Sequence, residues 1–182
     1  NIDATLRRPD TLGKGGSAIL EIAFEKRSLQ LLLDNRGTKE IGPVQAFASY
    51  QENDLFGLFE STSLIFATTP NSPERLLLGQ IAQDFPIGWN GLHAGYQFGV
   101  TNSKPGGALE ELDLNVGSIS SDVYASYPVL RTIDHTIALK TGLTTRNTDV
   151  DIGPDRLTSD RYRWFSFGVD ADHDIGIGPL SV

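Results

Sequence analysis

The sequence predicts an all-β fold, an antiparallel transmembrane β-barrel or part of one. Strand-like segments of roughly ten residues alternate with polar turns rich in Gly, Pro, Asn and Asp, the pattern of such barrels. Within the clearest strands, apolar residues alternate with small or polar ones. No segment reaches the ~18 consecutive apolar residues that a membrane helix needs. A barrel keeps its mean hydropathy low because lipid-facing residues alternate with lumenal ones.

The opening hairpin carries the strongest local signal. The run Leu31-Leu32-Leu33 ends in Asp34-Asn35-Arg36-Gly37, and Gly42 precedes a second strand-like segment, 44–50. Asn and Asp tolerate positive φ and Gly adopts it freely, so these residues predict a turn between two paired strands.

Eight strand candidates follow Lys26. The first five are 27–35, 41–51, 58–69, 74–83 and 89–101, and three more lie around 112–117, 137–143 and 165–170. Two prolines in 70–73 break the chain, since proline is excluded from central strands. We expect 84–88 to be a turn, 102–107 a loop and 149–160 a long polar loop. No segment has convincing helical periodicity.

Segment 89–101 shows the alternation most clearly. A strand places successive side chains on opposite faces. We expect one set to face lipid, namely Leu92, Ala94, Tyr96, Phe98 and Val100. The opposite set would face the lumen, namely Gly91, His93, Gly95, Gln97 and Gly99. Several aromatic residues fall near candidate strand ends and fit either membrane interfaces or ordinary packing; they are Trp89, Tyr124, Tyr127, Tyr162 and Trp164.

Composition narrows the class of protein. The chain has 182 residues, enough for one domain, and no Cys, which removes disulfides and zinc–thiolate sites. It also has no Met, so we expect a processed or truncated start, with any signal peptide upstream. The net charge of −8 disfavours nucleic-acid binding by phosphate neutralisation.

Three motifs together resemble a known family, the two-partner secretion transporters that export haemolysins and adhesins such as filamentous haemagglutinin. The turn Asp34-Asn35-Arg36-Gly37 with Gly42 resembles the start of that barrel. Tyr127-Pro128-Val129-Leu130-Arg131 resembles the family's Tyr-Pro-(apolar)2-Arg. Ser159-Asp160-Arg161-Tyr162-Arg163, followed by an alternating strand with Gly168, resembles its Asp-Arg segment. The order of the motifs agrees along nearly the whole chain.

The resemblance implies a sixteen-stranded barrel in the outer membrane of a Gram-negative bacterium, with a periplasmic N-terminal part. Residues 1–26, with their glycine-rich turn 9–16, would be the C-terminal end of a POTRA domain. Residues 27–182 would be the N-terminal part, about half, of the barrel. Its partners would be an unfolded secreted exoprotein and outer-membrane lipid. The family's Val-Arg-Gly-Tyr motif and closing strand are not in this sequence, and we expect them beyond Val182.

The sequence predicts no catalytic, cofactor or metal site. His93, His135 and His173 lie on different candidate strands without metal-ligand spacing, and no Gly-x-Ser-x-Gly elbow occurs. The segment 170–176 resembles the opening of a calcium loop, but Ser181 stands where the final Glu is required. We expect a lumenal acidic row there. Gly13-Lys14-Gly15-Gly16 lacks the phosphate-loop spacing. For Asp34, Arg36 and Arg131 the resemblance marks position and assigns no chemistry.

Two alternatives remain from the sequence. Eight strands are enough to close a small barrel, so a passive porin or small outer-membrane barrel is one. A soluble β-barrel or sandwich that binds a ligand is the other. A secretion transporter needs no catalytic residue, and we therefore do not expect an enzyme.

Overall fold

The chain folds into two antiparallel sheets. The computed structural model describes residues 2–7, 19–24, 26–132, 135–174 and 179–181. Strands β1 (Ile2–Arg7) and β2 (Ile19–Phe24) pair with each other in a small sheet. The predicted turn 9–16 lies outside the described residues. That residues 1–26 are the end of a POTRA domain stays a prediction.

The main sheet is an open meander in which each of nine strands pairs with the next along the chain. Among the described residues, β3 and β11 form its two edges. The prediction of an all-β antiparallel fold is confirmed. The strands are β3 (Arg27–Asp34), β4 (Gln45–Asn53), β5 (Ser61–Thr68), β6 (Leu77–Ile87), β7 (Leu92–Ser103), β8 (Leu114–Arg131), β9 (His135–Ile152), β10 (Asp155–Asp174) and β11 (Pro179–Ser181).

Helical structure is sparse, as the absence of helical periodicity predicts. In the described residues it amounts to two 3-10 turns, Pro73–Arg75 before β6 and Gly107–Leu112 before β8. No helix among these residues is long and apolar enough to cross a membrane.

The predicted opening hairpin is confirmed. The Asp34 carboxylate accepts hydrogen bonds from the backbone N–H and the Nε of Arg36, at 3.0 and 3.1 Å. A Cβ at Gly37 would lie 2.0 Å from the carbonyl oxygen of Gly42. Gly42 has φ 120° and packs against Thr69. Both glycines are therefore required by a close backbone approach or a left-handed conformation.

The strand register separates the side chains of the main sheet into two faces. One, which we call the apolar face, carries Leu29, Leu64, Phe98, Leu143 and Phe167. The opposite polar face carries Gln30, Ser63, Gln97, Thr144 and Ser166. The division predicted for 92–100 is confirmed, except that Gly91 lies in the turn before β7 with φ 81°.

No hydrophobic residue is buried in the part of the chain whose side chains are described. Large apolar side chains are instead exposed along every long strand; Leu31 is 73% and Phe167 68% accessible. A single sheet has no second layer against which to pack, so each face must be covered by its surroundings.

Two turn predictions are wrong. Segment 84–88 is not a turn, because β6 continues to Ile87 and Pro86 pairs with His93 close to the strand end. The turn falls at 88–91 instead. Segment 149–160 is not a long loop, because β9 and β10 pair throughout and turn tightly at Gly153-Pro154. Its polarity comes from cross-strand ion pairs such as that of Asp149 with Arg161.

The aromatic residues divide between interface-like and mid-strand positions. Trp89 lies in the exposed 88–91 turn. Tyr124, Tyr162 and Trp164 are not near strand ends, because β8 and β10 extend far beyond the segments predicted for them. All three lie on the polar face by register.

Gly37→Ala should destabilise the opening hairpin by roughly 1–3 kcal/mol, the range found when an extra methyl group is forced into a packed site. The added Cβ would meet the Gly42 carbonyl oxygen, a backbone atom held in place by its own turn. Denaturant unfolding measures the effect. Gly117→Ala is the matched control, because a Cβ there meets nothing within 4 Å. Equal midpoints for the two variants would contradict the assigned role of Gly37.

Candidate functional site

A hydrogen-bonded cluster lies on the polar face, toward the end of the sheet where the 88–91 turn joins β6 and β7. The Asp84 carboxylate of β6 is 2.8 Å from His93 Nδ1 and accepts a hydrogen bond from the Tyr124 hydroxyl at 3.1 Å. The Tyr124 ring lies over Gly95, where a Cβ would come within 2.5 Å of it. The absence of a side chain at Gly95 therefore lets the ring lie flat and reach across β7 to Asp84.

Several charged groups along this face are bonded to a neighbour. Lys140 forms an ion pair with Asp170, and Asp122 accepts a hydrogen bond from Thr144. Between these groups β7 and β8 carry small residues. Few side-chain atoms project from this part of the polar face, and the surface there is polar. The small residues are Gly95, Gly99, Ser118 and Ser120.

One part of the polar face is apolar. A single register row on β3–β6 consists of Leu32, Phe47, Ala67 and Leu78. Of these, Leu32 and Phe47 are exposed. Three leucines in succession at 31–33 necessarily place one of them, Leu32, on the face opposite to the other two. The sequence analysis did not assign a face to that leucine.

The apolar face shows a diagonal change of polarity. One register row begins polar at β3 and ends apolar at β10; its members are Arg27, Glu52, Thr62, Gln83, Tyr96, Val123, Leu143 and Phe165. A row four residues away runs the opposite way; its members are Leu31, Ala48, Phe66, Gly79, Val100, Ile119, Asn147 and Arg161. The apolar residues of this face therefore form a band that runs obliquely across the register rows. We call it the apolar band.

The polar residues at one margin of the band are bonded to one another. Arg27 Nε is 2.9 Å from Glu52, which also accepts a bond from the Tyr50 hydroxyl. On the next strands, Gln83 donates to Thr62 at 3.0 Å and accepts from the Tyr96 hydroxyl. Glu52, Thr62 and Gln83 are buried. Because these polar groups bond to one another, they need no water although they lie on the apolar face.

The opposite margin, on β9 and β10, is charged and open. Asp149 lies 2.8 Å from Arg161 and 3.3 Å from Arg156, and Arg156 lies 2.9 Å from Asp151. These pairs are exposed, so each contributes little stability by itself. Together they make the Gly153-Pro154 end of the hairpin β9–β10 charged.

Three connections pack together at that same end of the sheet. Arg75 donates to the Lys39 carbonyl oxygen at 3.1 Å and lies against Gly106. The Gly106 N–H donates to the Glu40 carbonyl oxygen at 2.7 Å, and Lys104 N–H to Glu74 at 2.9 Å. The connections after β3, β5 and β7 are thus tied to one another.

At the opposite end, the connection between β4 and β5 (54–60) is organised around one carboxylate. Glu60 is fully buried and accepts hydrogen bonds from the N–H groups of Phe56 at 2.6 Å and Leu58 at 3.1 Å. Burial raises the pKa of the Glu60 carboxyl, but these backbone hydrogen bonds lower it further, so the net pKa lies below its usual range. Sequence reading missed Glu60, since a Glu before a strand carries no motif.

The residues singled out from the sequence fall at different places in the main sheet. Asp34 and Arg36 hold the opening turn, and Arg131 is exposed at the end of β8. The segment 170–174 is strand, with Asp170 and Asp172 on one face, as the predicted acidic row requires. In the described residues no three His, Asp or Glu side chains form a group that could hold a metal ion.

The fold occurs in solved structures. CdiB from Escherichia coli matches at a TM-score of 0.74 and 15% identity, over 96% of this chain and 33% of that chain. CdiB from Acinetobacter baumannii matches at 0.69 and 14%, over 100% and 36%. BamA from Haemophilus ducreyi lacking POTRA domains 1-3 matches at 0.52 and 9%, over 96% and 35%. No protein-family model and no curated protein matches the chain.

The chain therefore spans about a third of the length of the structures that it matches. At these identities the likeness establishes the fold: an antiparallel, barrel-type sheet that is open in this chain. The predicted resemblance to two-partner secretion transporters is confirmed at this level.

Glu60→Gln should open the 54–60 connection. The two carboxylate oxygens of Glu60 accept from the Phe56 and Leu58 N–H groups, one oxygen each, and an amide has only one oxygen to offer. Chymotrypsin cleavage after Phe56 and Phe59 at neutral pH measures the opening. Glu110→Gln, at a side chain 73% accessible, is the control and should cleave like the parent. The parent connection should also loosen at low pH.

The sign of that pH dependence follows from the lowered pKa of Glu60. The carboxylate's contribution to stability is complete above the unfolded pKa, about 4.3, and is lost as pH falls through the lower folded value. Pepsin cleavage in the connection should therefore rise below about pH 4 in the parent. In Glu60→Gln it should be high throughout. A pH-independent parent would contradict the assigned role of Glu60.

Proposed function

We propose that this chain is part of an outer-membrane transporter that exports an unfolded haemolysin- or adhesin-type partner protein by two-partner secretion. Residues 27–182 form the N-terminal part of its barrel, and residues 1–26 the end of a periplasmic POTRA domain. The polar face lines the pore and the apolar face contacts lipid. The protein acts without a catalytic residue, because conduction requires a lumen and a partner.

The observation that carries the proposal is the oblique apolar band. Strands of a membrane barrel tilt by roughly 35–45°, so a horizontal slab of hydrocarbon must cross hydrogen-bond rows diagonally. The row that starts at Arg27 becomes apolar toward Phe165, and the row that starts at Leu31 becomes polar toward Arg161. A soluble sandwich gives no reason for this drift.

The missing core supports the same environment. The described side chains include no buried hydrophobic residue, and the apolar face is exposed across all the long strands. In water such a face would far exceed the few hundred Å² that monomers usually expose. In lipid, hydrocarbon would cover these side chains, and the ladder satisfies the backbone of every strand between the two edges β3 and β11. A soluble ligand-binding barrel is therefore disfavoured.

Protein export is favoured over passive diffusion by the fold. CdiB is a two-partner secretion transporter, and this chain shares the fold of about one third of the CdiB chain. The small residues and bonded polar pairs of the polar face, among them Asp84 with His93 and Lys140 with Asp170, would let a chain of varied sequence slide past. A passive porin would share the apolar band and is the second candidate.

Phe98→Arg should impair barrel assembly by roughly 2–4 kcal/mol, the cost of arginine at a lipid-facing midplane position. Gln97→Arg, one residue away on the polar face, is the matched control and should assemble nearly normally. Heat-modifiable migration of the membrane-inserted protein measures assembly. If both variants assembled equally well, the apolar face would not contact lipid.

A photo-crosslinker at Gln97 tests export directly. With a secreted partner stalled in the pore, position 97 should crosslink to that protein, because its side chain lies on the polar face. The same crosslinker at Phe98 should crosslink only to lipid. Absence of a protein adduct at position 97, in protein that assembles and admits small solutes, would replace the exporter with the porin.

A further inference from the structure

The connection 54–60 presents apolar side chains outward, at the end of the sheet where β3 begins. Leu55, Phe56, Leu58 and Phe59 are 46%, 62%, 58% and 80% accessible. One hairpin further along the sheet, at the same end, the 88–91 turn leaves Trp89 fully exposed. We call these four side chains with Trp89 the apolar tip.

The backbone geometry holds these side chains outside the connection. The Glu60 carboxylate fills its interior and bonds the N–H groups of Phe56 and Leu58. Asp54 accepts from the Phe59 N–H at 2.9 Å, and the Asp54 N–H donates to the Glu60 carbonyl oxygen at 2.7 Å. Because carboxylates occupy the inside, the apolar groups have no local core to enter.

Backbone strain supports the same conclusion. Asp54 and Phe59 have φ values of 62° and 58°, in the left-handed region that non-glycine residues rarely adopt. Such conformations persist where surrounding interactions hold the backbone in place. Here the hydrogen bonds of Asp54 and Glu60 do so, and the result is a preformed apolar projection.

We propose that the apolar tip inserts into the headgroup region of the membrane leaflet at this end of the barrel and anchors it there. The inference rests on the proposed function in one respect: that function is what places a membrane leaflet at this end of the barrel. Aromatic side chains favour the membrane interface, and Lys26, exposed at the same end, suits lipid phosphates.

Position and size favour lipid over a protein partner. β4 and β5, which the connection joins, carry the apolar face, so the tip continues the surface that contacts hydrocarbon. The polar residues between band and tip, such as Glu52 and Thr62, are buried and bonded to neighbours. The tip exposes on the order of several hundred Å². A stable protein–protein interface buries roughly 1,600 Å².

The test places a single labelled cysteine in the full-length protein, reconstituted in phosphatidylethanolamine–phosphatidylglycerol vesicles. Phe59→Cys reports on the tip, Phe66→Cys on the centre of the apolar face and Gln97→Cys on the polar face. Each carries an environment-sensitive fluorophore. Quenchers are lipids brominated near the headgroup, lipids brominated near the chain ends, and aqueous iodide.

The expected result is loss of fluorescence at position 59 with headgroup-proximal bromine, little loss with deep bromine, and protection from iodide. Position 66 should lose fluorescence with deep bromine, and position 97 with iodide alone. In Glu60→Gln the depth preference at position 59 should disappear, because the connection is no longer held. If it persisted there, the preformed geometry would not be the cause.

The outcomes separate this inference from the proposed function. Iodide access at position 59 with bromine quenching at position 66 would overturn the anchor alone. Protection of position 59 from every quencher would mean that protein covers the tip, and would also overturn the anchor. Loss of bromine quenching at position 66 alone would overturn the barrel and leave a peripheral lipid-binding tip. Loss at both positions would overturn both.

Discussion

The structure depends on one constraint: the strands of a single sheet satisfy one another's backbone groups in ladders while the two faces of the sheet meet different surroundings. Strand pleating enforces the separation, because neighbouring side chains point to opposite faces. Phe98 and Gln97 thus lie in different environments although they are adjacent in sequence. With no hydrophobic residue buried among the described side chains, cohesion comes from the ladder and from whatever covers the apolar face.

The same constraint explains where polar groups are tolerated on the apolar face. Glu52, Gln83 and Thr62 occur at its margin, and each is bonded to a neighbour on the next strand or its own. Exposed pairs such as Asp149 with Arg161 lie beyond the opposite margin, where water can solvate them. Buried, bonded polar groups mark one boundary of the apolar band, and exposed ion pairs mark the other. Polar side chains therefore delimit the band on both sides.

Local sequence signals predicted the fold well wherever the physics is local. The alternation from Leu92 to Val100 and the Asp34–Gly37 turn depend on neighbours in sequence, and both were confirmed. The hairpin that turns at Gly153-Pro154 was missed, because polarity in a strand that extends into water resembles polarity in a loop. The roles of Glu60, and of Gly95 beneath Tyr124, depend on residues brought together by folding. Neither leaves a pattern in the sequence.

The strands lengthen along the sheet, from 8 residues in β3 to 18 in β8 and β9 and 20 in β10. Crossing a bilayer takes about 9–11 residues, so in the membrane location proposed above the later strands would project beyond the bilayer by roughly eight residues, on the order of 25 Å. The projection lies at the Gly153-Pro154 end, since the apolar residues of β9 and β10 lie toward their other ends. A barrel built on this wall has a slanted mouth, low beside β3 and high beside β10. The higher side of that mouth carries the exposed ion pairs of the β9–β10 hairpin, Asp149 with Arg161 and Asp151 with Arg156.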